Sequence, residues 1–186
     1  MTGLWIGIGV TVLLIIIVAS MYNKLVKYRN TRENAFADID VQLKQRHDLI
    51  PQLVETVKGY AAHEKDTFER VIQARNGAMN ASSIDDKIKA ENTLTSALAG
   101  MKITLEAYPE LKANQNFYQL QEEISDVENK LSSVRRFFNS ATKEYNNVVE
   151  TFPSNIIAGI FNFKKETMFD LGENRASLEQ APTIKF

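Results

Sequence analysis

Apolar residues fall along this chain in two patterns, one continuous and the rest periodic. From Leu4 to Met21 the sequence LWIGIGVTVLLIIIVASM runs eighteen residues without a charged side chain. As a helix the run is roughly 27 Å long, against roughly 30 Å for the hydrocarbon core of a bilayer, so it predicts a single membrane-spanning helix. Leu, Ile and Val fill eleven of its positions, each contributing roughly −0.3 to −0.6 kcal/mol near the bilayer centre, and insertion is favourable despite Gly7 and Gly9. The rival reading is a cleaved signal peptide. Against it, the run exceeds a typical signal core, no basic residue precedes it, and no clear small-x-small cleavage site follows.

Periodicity takes over after Met21. From Tyr22 to about Leu49 the pattern is helical, with Phe36, Ile39 and Leu43 on one stripe. Pro51 has no N–H to donate and disfavours the α region at Ile50, so a break is predicted there, with a kinked continuous helix as the alternative. A second helix then carries Leu53, Val57, Tyr60, Phe68 and Val71 to about Arg75. The stretch NGAMNASSIDD, Asn76 to Asp86, reads as a loop, with Ser83 or Asp85 capping a third helix that shows Leu94, Leu98, Met101, Leu105 and Tyr108 and ends at Pro109.

The clearest stripe comes last. Phe117, Leu120, Ile124, Val127, Leu131, Val134, Phe138, Ala141, Tyr145, Val148 and Phe152 alternate in steps of three and four, up to Pro153. A mean spacing of 3.5 is the seam of a helix packed against near-parallel neighbours. With a break at Pro51 the four helices are roughly 40, 38, 35 and 54 Å long, lengths that suit an up-and-down antiparallel arrangement with short loops. The predicted fold is therefore all-α: an N-terminal transmembrane helix (1–21), a four-helix bundle of long helices (22–152), a short amphipathic or capping segment (153–169) and an extended polar tail (170–186). A merely kinked first helix would stand roughly 80 Å tall and would need neighbouring subunits to cover its stripe.

Composition narrows the chemistry. The net charge of −1 offers nucleic acid no bulk attraction, and the absence of cysteine excludes disulfides and thiolate metal sites. His47 and His63 are the two histidines, and neither has the spacing of a zinc peptidase or of a di-iron Glu-x-x-His pair. No phosphate-binding glycine loop or nucleophile elbow is present. No catalytic, cofactor or metal residues are assigned, and no enzyme, small-molecule substrate or cofactor is expected.

Two residue sets stand out for contact instead of catalysis. Gly3, Gly7 and Thr11 recur every four residues along the span, a small-residue stripe suited to close helix association. Arg46 and Glu64 fall on otherwise apolar stripes, while Glu128 and Arg135 flank the last seam. Glu64 or Glu128 is expected to pair with Arg135 or Arg46 across helices, fixing register more than adding stability, because desolvation offsets much of the attraction. The bland alternative is solvated flanking charge.

The segment DIDVQLKQRHDLIPQLVETVKGYAAHE, Asp38 to Glu64, closely resembles the LemA family. The likeness continues through Tyr22-Asn23, Ala74-Arg75, YPELKANQNF from Tyr108, Glu128-Asn129, RRFFNSATKEYN from Arg135, FPSNIIA from Phe152 and the closing APTIKF. Phe36 and Phe138 stand where many members carry Trp and Tyr. The resemblance implies a single-pass bacterial membrane protein with an up-and-down helical domain, and it supplies no catalytic residue set. Lys24, Lys27, Arg29 and Arg32 follow the span, so the positive-inside rule places the N-terminus out and the bulk domain in the cytoplasm at the inner membrane, a periplasmic domain being the alternative. The function expected is a membrane-anchored scaffold that self-assembles and presents a helical surface to partners or the bilayer. The alternative is a regulatory or sensory adaptor for one membrane-associated partner, such as a protease or kinase.

Overall fold

The computed structural model describes residues 2–169, and among them every regular element is a helix. Six occur in order: α1 (Thr2–Lys58), α2 (Lys65–Asn80), α3 (Ile84–Leu105), α4 (Pro109–Lys112), α5 (Gln115–Glu150) and α6 (Ser154–Ile160). The polar tail, with its closing APTIKF, lies outside the described residues. The described residues divide into two compact units, one made of residues 2–39 with 133–168, the other of 40–132 with Phe169.

The expected break at Pro51 is absent, because α1 continues through it to Lys58. A proline at this position orphans the carbonyl of His47, which an N–H at residue 51 would otherwise satisfy. Arg75 of α2 fills the gap, its Nε donating to the His47 carbonyl at 2.7 Å. A charged donor thus replaces the lost backbone bond from outside the helix. The chain turns eight residues later, at Gly59, where the Val57 carbonyl accepts from both Tyr60 and Ala61 at 2.9 Å. Tyr60, expected on a helical stripe, therefore lies in a turn and is exposed. The predicted loop also starts late, since α2 runs on to Asn80. Ser83 caps α3 by accepting the N–H of Asp86 at 3.0 Å.

Within the second unit, four helical segments share one core. Ile50, Leu53, Val54 and Val57 of α1 meet Phe68, Val71 and Ala78 of α2, Leu94, Met101 and Leu105 of α3, and Phe117 of α5, with Leu111 of α4 closing one end. Each large apolar side chain buried in this way contributes roughly 1.5–3 kcal/mol. Asn114 caps α5 through the Phe117 N–H at 3.0 Å and donates to the Tyr60 hydroxyl at 2.8 Å, tying the α1–α2 turn to the start of α5.

The first unit is built on α1 and α5. The side chains of its apolar run, Leu4 to Met21, have no protein cover apart from partial burial at Met21. Burial becomes complete at Leu25, which packs with Val148 of α5 and Ile157 and Ala158 of α6. Phe36 and Phe138 touch each other edge-on, their ring centres 5.4 Å apart. The α5 seam is buried or half-buried from Phe117 to Val148, but Phe152 is 80% exposed. The helix ends at Glu150, and the turn into Pro153 takes Phe152 off the seam.

Candidate functional site

A polar cluster lies inside the second unit, and α1 supplies its centre. Arg46 is 2% and Glu91 1% exposed. Arg46 Nη1 donates to Glu91 Oε2 at 3.2 Å, while Nη2 reaches Glu128 Oε1 at 2.8 Å and Thr95 Oγ1 at 3.1 Å. One guanidinium thereby engages α1, α3 and α5 together. His47 Nε2 sits 2.6 Å from the other Glu91 oxygen. Both oxygens of Glu91 are thus engaged, and the His47 main-chain carbonyl accepts from Arg75. Beside this cluster, Lys87 Nζ binds both carboxylate oxygens of Asp40, at 2.9 and 2.7 Å.

The geometry distinguishes the four residues singled out from the sequence. Arg46 and Glu128 form an ion pair, whereas Glu64 accepts the Tyr108 hydroxyl at 3.2 Å beside the α1–α2 turn. Burial and the Glu64 carboxylate push the Tyr108 phenol upward. Arg135 is half-buried on α5 in the first unit. Gly3 and Gly7 face open space, and Thr11 donates to the Gly7 carbonyl at 3.0 Å within α1.

Sequence reasoning gave no pairing role to Glu91, at the heart of the cluster, or to Arg32, a buried arginine of the first unit. Glu91 lies three residues before Leu94, one step upstream on the same stripe, where an acidic residue was the available signal. Arg32, counted only as a charge beside the span, is buried in the first unit. Its Nη2 meets Glu166 Oε2 at 3.2 Å and the Thr167 carbonyl at 3.3 Å, and its guanidinium lies 5.0 Å from the Phe138 ring centre. Asn146 fixes the same segment, accepting the Glu166 N–H and donating to its carbonyl, both at 2.9 Å. Close by, burial pushes the Tyr145 phenol upward, with a further contribution from Glu166.

The cluster's chemistry is that of cross-helix fixation. Its carboxylates accept from side chains of the protein itself, and among the described residues no three His, Asp or Glu side chains converge as a metal set would. The comparison with known families is direct: residues 35–186 match the LemA family model.

The chain belongs to the LemA family. The matched region begins after the apolar run, so the likeness rests on the helical domain. Protein LemA of Metamycoplasma hominis is 26% identical over 155 residues, covering 81% of this chain and 69% of that protein. Magnetosome protein MamQ of Magnetospirillum gryphiswaldense is 22% identical over 174 residues, covering 80% of this chain and 64% of its own length. Magnetosome protein MamQ 2 of Paramagnetospirillum magneticum is 20% identical over the same length, and again 64% of it is spanned. Against the two magnetosome proteins the chain thus spans less than two thirds of the relative. Together with the unburied apolar run of α1, these likenesses mark a membrane-associated helical protein of the LemA family.

Proposed function

We propose that this LemA-family protein is a membrane-anchored helical scaffold without catalytic activity, which assembles laterally and presents a helical surface to partners or to the bilayer. The observation that carries the reading is the coexistence of two features: an apolar run with almost no protein cover, and a core whose buried charges are committed to one another across helices. In this reading Leu4–Met21 spans the bilayer once. The four long helical segments form an up-and-down antiparallel bundle, and the basic residues after the span hold that bundle in the cytoplasm. The open face of Gly3, Gly7 and Thr11 supports close approach of neighbouring spans, and confinement to a plane raises the effective concentration of each copy's neighbours. The likeness to two proteins named for the magnetosome supports membrane association.

The test is the mass of the full-length protein in a mild detergent and in lipid nanodiscs. Several copies per particle are expected, and Gly7→Leu shifts the distribution toward fewer. A clean monomer in both media rules the scaffold out.

A further inference from the structure

Helix α6 has two faces of opposite character. Ile157 and Ala158 are buried against Leu25 of α1 and Val148 of α5, with Met21 and Phe163 packed on the same cluster. Ser154 anchors the start of α6, its hydroxyl meeting the Val148 carbonyl at 2.6 Å and the Thr151 carbonyl at 2.9 Å. The remaining large side chains are turned outward: Phe152 is 80%, Ile156 54%, Ile160 69% and Phe161 50% exposed. Phe161 meets Tyr22, but Phe152, Ile156 and Ile160 are not among the residues of the cluster that docks the helix through Ile157 and Ala158.

Their position along the span supplies the missing cover. Tyr22 is the first residue after the apolar run, and its ring lies 4.8 Å from that of Phe161 and 5.8 Å from that of Phe163. The end of α6 therefore sits at the level where α1 leaves the hydrocarbon. The chain is returned to this level by a left-handed residue, Asn162 with φ of 58°. The Phe163 N–H bonds back to the Ala158 carbonyl at 2.9 Å, and that of Asn162 to Gly159 at 3.4 Å, the bond pair of a Schellman stop. Aromatic side chains favour the headgroup level, and cations beside them favour anionic headgroups. Lys24, Lys27 and Lys164 are exposed within a few residues of these rings, and the Arg29 guanidinium lies 5.4 Å from the Phe163 ring centre.

We infer that α6 is a second membrane contact: Phe152, Ile156, Ile160 and Phe161 lie in the headgroup–acyl boundary beside the exit of the span, while Ile157 and Ala158 hold the helix to α1 and α5. The occupant of this apolar face is lipid. The inference rests on Leu4–Met21 crossing the bilayer, and its test separates the two.

The chain has no cysteine, so single nitroxide labels can be placed without background. Ile156→Cys, Ile160→Cys, Ile15→Cys and Phe137→Cys are introduced into the full-length protein, which is reconstituted in phosphatidylcholine–phosphatidylglycerol vesicles. Accessibility to oxygen, which partitions into lipid, is then measured against a water-soluble nickel chelate. Phe137 is the control for apolarity alone: it is exposed on α5 but sits thirteen residues, roughly 20 Å, before the end of that helix. Labels at 156 and 160 are expected to favour oxygen several-fold, as at 15, and the label at 137 to favour the chelate. If 156 and 160 behave like 137 while 15 reads as lipid, α6 is in water and only this inference falls. Shielding of 156 and 160 from both reagents means a protein surface covers them, which also overturns it. A chelate-accessible label at 15 removes the span itself and the inference with it.

Discussion

Helix α1 buries two arginines, and the two units treat them differently. Arg46 is fixed by groups on two other helices, with Glu91 fully enclosed beside it. Arg32 is equally buried, yet its carboxylate comes from the irregular segment after α6, and Glu166 keeps 36% of its side chain exposed. The guanidinium is covered in both cases, so the difference lies in the partner. An enclosed carboxylate cannot recover hydration when its cation is removed, whereas a partly exposed one can. Arg46 thus bridges three helices, while Arg32 joins α1 to the segment after α6 and lies over the Phe138 ring.

That contrast orders the mutational effects. Arg46→Met leaves Glu91 enclosed with only His47, and breaking such a pair costs about 3–5 kcal/mol. Denaturant unfolding of the full-length protein, followed by circular dichroism in detergent, is expected to show that loss, and Glu91→Leu added to it should restore much of the stability. If the double variant is as unstable as the single one, the penalty was never an orphaned charge. Arg75→Met ranks second, removing the donor that replaces the missing N–H at Pro51, for about 1–3 kcal/mol. Adding Pro51→Ala should recover most of it, because residue 51 then satisfies His47 itself; no recovery would break the link between Arg75 and the continuity of α1. Arg32→Met has the smallest effect, about 1 kcal/mol from a partly exposed pair and a cation–π contact. Its signature is local: protease sensitivity of the segment around Glu166 should rise before global unfolding shifts. A loss as large as that of Arg46→Met would erase the distinction between the two arginines.

The same helix shows what could be read from the sequence. Helical content, the apolar run and nearly all of the last seam were legible because spacing and burial follow one rule, and the α5 stripe holds from Phe117 to Val148. The break at Pro51 was the wrong inference, although the stripe carried the correction. Arg32, Phe36, Ile39, Leu43, Arg46, Ile50, Leu53 and Val57 keep one phase across the proline, and all eight are buried. A true break would have reset that phase. What the sequence could not show was the donor that makes continuity tolerable, because Arg75 lies on another helix, 28 residues from His47. Arg46 was noticeable as a charge on an apolar stripe. Arg32 obeys the same spacing, but beside a span a cation has a ready explanation in membrane topology, and that explanation hid its burial. Glu64 sits at a helix boundary and serves a tyrosine, which no periodicity encodes.

One further property follows from the unbroken passage of α1 from Met21 to Leu25. No hinge separates the greasy segment from the first residue that α5 and α6 enclose. A bilayer thicker or thinner than about 30 Å is accommodated by changing the inclination of a spanning helix. With Leu4–Met21 spanning as proposed, such a tilt would carry Leu25, and the Val148, Ile157 and Ala158 side chains packed on it, in the same motion.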